Sequence, residues 1–124
     1  MTGVVTRQLH KFGGSSLADP ECYRRVATIL KEYSHDHDLV VVSAAGNTTN
    51  RILEWFDGLL KDGRLAHEVL ESLRKYQQDL ISELLSAENA EPLLELLHKE
   101  LIAIGQLHAP LTEVQQADVL GHGE

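Results

Sequence analysis

Two consecutive glycines, Gly13-Gly14, interrupt the chain between an apolar stretch ending in His10-Lys11-Phe12 and a pair of hydroxyl residues, Ser15-Ser16. A helix signal, Asp19-Pro20-Glu21, follows directly. Consecutive glycines let the backbone turn sharply and approach a ligand with no Cβ in the way. The amides of such a loop can converge on an anion, and a following helix N-terminus adds partial positive charge. Lys11 supplies a full charge beside it. Strand, Lys-x-Gly-Gly-Ser-Ser and helix together describe a phosphate cradle. The common P-loop differs, because its lysine follows the glycines. The dinucleotide fingerprint differs too, because its glycines are spaced Gly-x-Gly-x-x-Gly. On spacing alone, an ordinary glycine turn leading into a helix accounts for the stretch equally well.

The flanking pattern predicts a strand over residues 5–12 and a helix capped by Asp19, with Pro20 at its first position. Tyr23, Val26, Ala27, Leu30 and Tyr33 give that helix an apolar face. Leu39-Val40-Val41-Val42 is continuously apolar and β-branched, as suits a strand of a parallel sheet buried on both sides. Strand, helix and strand form a right-handed βαβ unit over residues 1–50. The glycine loop then lies at the carboxyl end of its first strand, where ligands bind in such sheets. Ser43-Ala44-Ala45-Gly46-Asn47-Thr48-Thr49-Asn50 leaves the second strand at the same edge.

Residues 51–120 read as a helical subdomain. Ile52, Leu53, Phe56, Leu59 and Leu60 mark one helix, with Gly63 expected to end it. Helices over 65–85 and 93–104 follow, separated by a junction from Ser86 to Pro92, and a short helix spans Thr112 to Leu120. The class is α/β, but lopsided. Two apolar strands need neighbours, and a two-stranded sheet is marginal by itself. The expectation is therefore an incomplete sheet, the front part of one larger domain spanning 1–124.

Composition narrows the partners. The formal net charge of −8 argues against nucleic acid or an anionic membrane surface. No apolar run approaches the roughly 20 residues of a membrane span, and no signal peptide is visible. A single cysteine, Cys22, rules out an internal disulfide and fits a reducing cytoplasm. Among the seven histidines, His35-Asp36-His37-Asp38 is the best metal candidate, although a polar loop explains it without a metal.

Three motifs carry a family resemblance. Lys11-Phe12-Gly13-Gly14-Ser15-Ser16 resembles the Lys-Phe-Gly-Gly-Thr/Ser-Ser signature that opens aspartokinases, in the amino acid kinase superfamily. Val41-Val42-Ser43-Ala44, with Thr49-Asn50 downstream, resembles their second signature, and Gly121-His122-Gly123-Glu124 their third. Between the motifs the sequence is most similar to the aspartokinase half of bifunctional aspartokinase–homoserine dehydrogenases, of the methionine-pathway type.

The resemblance implies a carbamate kinase-like fold and transfer of the γ-phosphoryl of ATP to the side-chain carboxylate of L-aspartate. The product is 4-phospho-L-aspartate, on the way to lysine, threonine and methionine. It implies Lys11 on the transferring phosphate, Phe12, Gly13, Gly14, Ser15 and Ser16 around the nucleotide phosphates, and Ser43, Thr49 and Glu124 on aspartate. Mg2+ would be held mainly through ATP, and NADP would serve a dehydrogenase half. The implied assembly is a homo-oligomer. The family's second half, with its adenine pocket and substrate arginine, has no counterpart here, so the chain alone is expected to be inactive. The alternative is a non-catalytic helical interaction module. Lys11 separates the two: a kinase needs it in a pocket beside the Gly13 and Gly14 amides.

Overall fold

The computed structural model describes residues 6–123. Strand β1 (Leu9–Phe12) is followed by a 3-10 turn at Gly14–Leu17, helix α1 (Pro20–Tyr33) and strand β2 (Leu39–Val42). Helices α2 (Thr48–Lys61), α3 (Gly63–Leu84), α4 (Ala87–Gly105) and α5 (Glu113–Leu120) come next, closed by a second 3-10 turn at Gly121–Gly123. Position 5, the predicted start of β1, lies outside the described residues, and β1 begins four residues later than expected.

The strands are parallel, with Leu9 opposite Leu39 and Phe12 opposite Val42. Asp38 sets this register. Its side chain, 1% exposed, takes the imidazole Nε2 of His10 at 2.9 Å. It also accepts from the backbone amides of Gln8 at 3.0 Å and His35 at 2.9 Å. These contacts hold its carboxyl well below the usual carboxylate range, the His10 hydrogen bond first among the causes. The residues read as a metal candidate are thus a register clamp at Asp38. Among the described residues no three His, Cys, Asp or Glu groups converge as metal ligands.

The sheet is open. Leu39 is 61% exposed and Val40, Val41 and Val42 are 45–47% exposed, so the apolar character that predicts burial on both faces is left largely uncovered. The core lies in the helices, where Ile52 and Trp55 of α2, Leu70 and Leu73 of α3, and Leu97 and Leu101 of α4 form one buried cluster with Val119 of α5. No described helix is long and apolar enough to cross a membrane.

Two boundaries differ from the sequence expectation. α2 ends at Lys61, so Gly63 stands just past its end as expected, but Gly63 also opens α3, two residues earlier than predicted, because the Asp62 carboxylate caps the new helix by accepting from the Arg64 amide at 2.9 Å. The α2–α3 hairpin is tight at Gly58, where an added Cβ would lie 2.9 Å from the Ala66 nitrogen. Likewise, Ser86–Pro92 is not a junction. Ser86 accepts from the Asn89 amide and α4 starts at Ala87, so Pro92 sits inside the helix. Proline there forfeits one intrahelical hydrogen bond, which a nineteen-residue helix packed through Leu97 and Leu101 tolerates.

Candidate active site

Two loops meet at the carboxyl ends of β1 and β2. The Ser43 amide donates to the Phe12 carbonyl at 3.1 Å, extending the strand pairing by one step. The Gly46 amide then donates to the Gly14 carbonyl at 3.0 Å. Gly14 fits because its missing Cβ would stand only 3.1 Å from the carbonyl oxygens of Ala44 and Gly46. Gly46 adopts φ +53°, a left-handed conformation that favours glycine, with the Tyr76 hydroxyl packed over it. At Gly13, by contrast, nothing beyond its chain neighbours lies within 4 Å of an added Cβ.

The helix that follows does not present its N-terminus as the glycine motif suggests. The 3-10 turn intervenes, and the Ser16 amide is used on the Gly13 carbonyl at 3.0 Å. The first turn of α1 is capped by Asp19, which accepts from the Cys22 amide at 2.8 Å and is held at a lowered pKa chiefly by that bond. Any anion at this loop therefore meets glycine-loop amides and not the α1 dipole.

Lys11 stands opposite Val41 in the register, on the face of the pair that also carries Leu9 and Leu39. Its residue is exposed and makes no ion pair among the described residues. The enclosing pocket expected for Lys11 is not formed within this chain, because no described element covers that face. Phe12 is half-buried on the opposite face, and Ser43 is half-buried at the start of the second loop. Thr49 is exposed in the first turn of α2. Its neighbour Thr48 is fully buried, its hydroxyl donating to the Ala45 carbonyl at 2.6 Å. Glu124 lies outside the described residues.

Beside the loops a cleft of about 330 Å³ is lined by Ser15, Ala18, Gly46, Asn47, Arg51 and Tyr76. Of the sequence-predicted residues only Ser15 reaches it. The Tyr76 hydroxyl donates to the Ala18 carbonyl, and burial raises its pKa. Arg51 donates to the Ser72 hydroxyl on α3 and, among the described residues, has no carboxylate partner. The sequence reading missed Asn47, Arg51 and Tyr76. Arg51 could have been flagged as the cation directly after the second motif, but Tyr76 depends on how α3 crosses the loop.

The third motif is seated on the second. Gly123 packs so closely that an added Cβ would lie 2.6 Å from Thr48 Cγ2 and 2.8 Å from Ala44 Cβ. All three motifs therefore converge on one end of the parallel strand pair.

Known proteins share both sequence and shape with this chain. It is 49% identical over 123 residues to bifunctional aspartokinase/homoserine dehydrogenase 2 of Escherichia coli (strain K12), a match covering 98% of this chain and 15% of that protein. A shorter match, 36% identical over 53 residues, covers 43% of the chain and 10% of chloroplastic aspartokinase 2 of Arabidopsis thaliana. Among solved structures, E. coli aspartokinase III in complex with lysine and aspartate superposes with a TM-score of 0.73 at 28% identity, over 94% of this chain and 26% of that one. The same enzyme with aspartate and ADP gives a TM-score of 0.66 at 29% identity, over 96% and 26%. The chain thus spans a small part of the length of these relatives. Residues 6–121 match the model of the amino acid kinase family, and with the glycine loop, the parallel strand pair and the relatives in agreement, the chain belongs to that family.

Proposed function

We propose that this chain is the front part of an aspartokinase catalytic domain, contributing the phosphate loop and part of the aspartate site to a longer protein. The observation that carries this reading is the joining of three motifs at one end of β1 and β2. Gly14 bonds to Gly46, and Gly123 packs against Thr48 and Ala44. The 49% identity to the E. coli bifunctional protein supports it, as do the aspartate and ADP bound by the structural relative.

In this reading a side-chain carboxylate oxygen of L-aspartate attacks the γ-phosphorus of ATP. The bond from that phosphorus to the β,γ-bridging oxygen breaks, and ADP leaves with the electron pair. Such transfer demands positioning and neutralisation of spread negative charge. Lys11 supplies positive charge at the end of β1, and the glycine loop, uncrowded at the missing Cβ of Gly13, admits phosphate oxygens. Ser43 and Thr49, with Glu124 in the sequence beyond them, orient the amino acid, the carboxylate of Glu124 meeting its ammonium group. No carboxylate lines the described cleft at Ser15 and Arg51, so Mg2+ fits best as a passenger on the nucleotide phosphates. NADP would belong to a dehydrogenase half lying outside this chain. The parent acts as a cytoplasmic homo-oligomer, and the isolated chain is inactive because half the phosphate site and the adenine pocket are contributed elsewhere.

The test is aspartate-dependent release of ADP by the full-length parent, with trapping of the acyl phosphate. Release that is independent of aspartate, or none, would overturn the reading. The 124-residue chain under the same conditions should give no turnover.

A further inference from the structure

The third motif contains a histidine to which phosphoryl transfer assigns no task. The His122 side chain is nevertheless only 4% exposed. Its Nδ1 lies 2.8 Å from Glu100 Oε2 on α4, and its Nε2 lies 2.8 Å from Gln77 Oε1 on α3. A buried imidazole is costly unless its nitrogens are engaged, and here both are. Anchors on two different helices fix the position and the plane of the ring. Glu100 is the charged group bonded to the ring, and Asp118 of α5 lines the same cavity, about 330 Å³ in volume.

The next residue carries that anchoring into the loops. Gly123 rests on Thr48 and Ala44 with no room for a Cβ. Thr48 is fully buried and holds the Ala45 carbonyl. Ser43 and Thr49 flank this Ala44–Thr48 segment, and Glu124 follows Gly123 by one peptide bond. Gly123 thus links His122 to the loop that carries Ser43 and to the first turn of α2, where Thr49 stands.

We propose that His122 is a positioning residue for the amino-acid substrate, holding Gly123 against Thr48 and Ala44 through its bonds to Gln77 and Glu100. The proposal rests on the aspartokinase reading above. It concerns the aspartate side of the site first, because Gly123 packs directly on Ala44 and Thr48, while the Gly13–Gly14 loop meets that segment only at Gly14, through the Gly46 amide and the Ala44 carbonyl. Displacing the ring frees Gly123 and shifts the substrate contacts first, while the Gly13–Gly14 loop keeps its own bond to the Gly46 amide.

The experiment uses the full-length parent with His122→Ala, Gln77→Ala and Glu100→Ala. For His122→Ala the expected result is an aspartate KM raised about tenfold, an ATP KM within about twofold and a kcat within about threefold. Gln77→Ala and Glu100→Ala each remove one anchor and should move the aspartate KM in the same direction by less. A merely structural role would reduce the active fraction and leave both KM values alone. That pattern, or equal rises in the KM of ATP and aspartate, overturns the proposal. If His122→Ala does not accumulate as folded protein, the other two variants decide, and a normal aspartate KM in both overturns it. An unaltered parent that fails to phosphorylate aspartate refutes the underlying reading and this proposal with it. A working parent with unselective losses refutes this proposal alone.

Discussion

The amide of Gly46 donates to the carbonyl of Gly14 at 3.0 Å, making one platform of two loops that are distant in sequence. The bond requires glycine on both sides for different reasons: Gly14 is hemmed by two carbonyl oxygens, and Gly46 turns left-handed beneath Tyr76.

Gly46→Ala should therefore destabilise the chain by about 1–3 kcal/mol, combining a strained φ with a Cβ placed 2.6 Å from the Tyr76 hydroxyl. Gly13→Ala, where the same atom meets open space, should stay within about 0.5 kcal/mol. Denaturant midpoints of the two variants provide the comparison. Equal losses would mean that the loop does not hold this geometry in solution.

Lys11→Ala in the full-length parent should lower kcat by about 10²–10³-fold, the typical cost of one stabiliser of developing charge. The aspartate KM should change less. Because Lys11 is exposed and unpaired among the described residues, the substitution should leave the stability of the 124-residue chain unchanged. Steady-state kinetics with a near-normal kcat would remove Lys11 from the chemistry.

Thr49→Val and Glu124→Gln should each weaken aspartate by about tenfold while sparing ATP, since each removes a polar partner proposed for the amino acid only. Thr48→Val makes a useful contrast. It removes a buried hydroxyl bonded to Ala45 and should cost stability first. Calorimetric titration of both ligands separates the cases, and an equal loss for ATP with Thr49→Val would contradict its assignment.

Local chemistry made much of this structure legible in advance. Asp19-Pro20 carries its own cap and start signal, and α1 begins there. Leu39–Val42 is strand-like by composition alone, and it is a strand. Three short motifs in order named the family. Signals that depend on partners were misread. Gly63 does stand past the end of α2, but Asp62 also caps a new helix on it with no gap, and Pro92 looks like a break until Ser86 is seen starting a helix upstream of it. The sequence named candidate site residues, of which Ser15 lines the cleft, but not the geometry around them. Nothing local says that Tyr76 covers Gly46, that His122 reaches Gln77, or that Lys11 faces outward from an open sheet.

Stability should depend on acid through Asp38. Its folded pKa is depressed by the His10 hydrogen bond and by the amides of Gln8 and His35. Folding therefore favours the ionised form. That contribution is fully present above the ordinary carboxylate pKa of about 3.9 and is lost as the pH falls through it towards the lower folded value. Asp38→Asn should be less stable than the parent chain at pH 6, and the gap should narrow as the pH falls below about 4. Unfolding curves at pH 6 and pH 3 measure it, and a gap that does not depend on pH would mean the clamp at β1–β2 acts without its charge.

The exposed strand gives the last expectation, self-association of the isolated chain. Leu9 and Leu39 face the same side of the pair and are 65% and 61% exposed, with Val41 beyond Leu39 on that side. Apolar burial is worth roughly 25 cal/mol per Å², so covering this face is favourable, and an unpaired strand edge offers backbone groups for a further strand. The occupant proposed is a second copy of the chain, which carries the same edge and can meet it across a two-fold axis. A net charge of −8 opposes the contact but is screened beyond about 8 Å at physiological salt. Sedimentation at micromolar concentration should show a dimer or larger species. Leu39→Lys, which places a charge on the apolar face and leaves the backbone pairing intact, should return it to monomer. A monomeric unaltered chain, or a dimer indifferent to Leu39→Lys, would place the contact elsewhere or remove it.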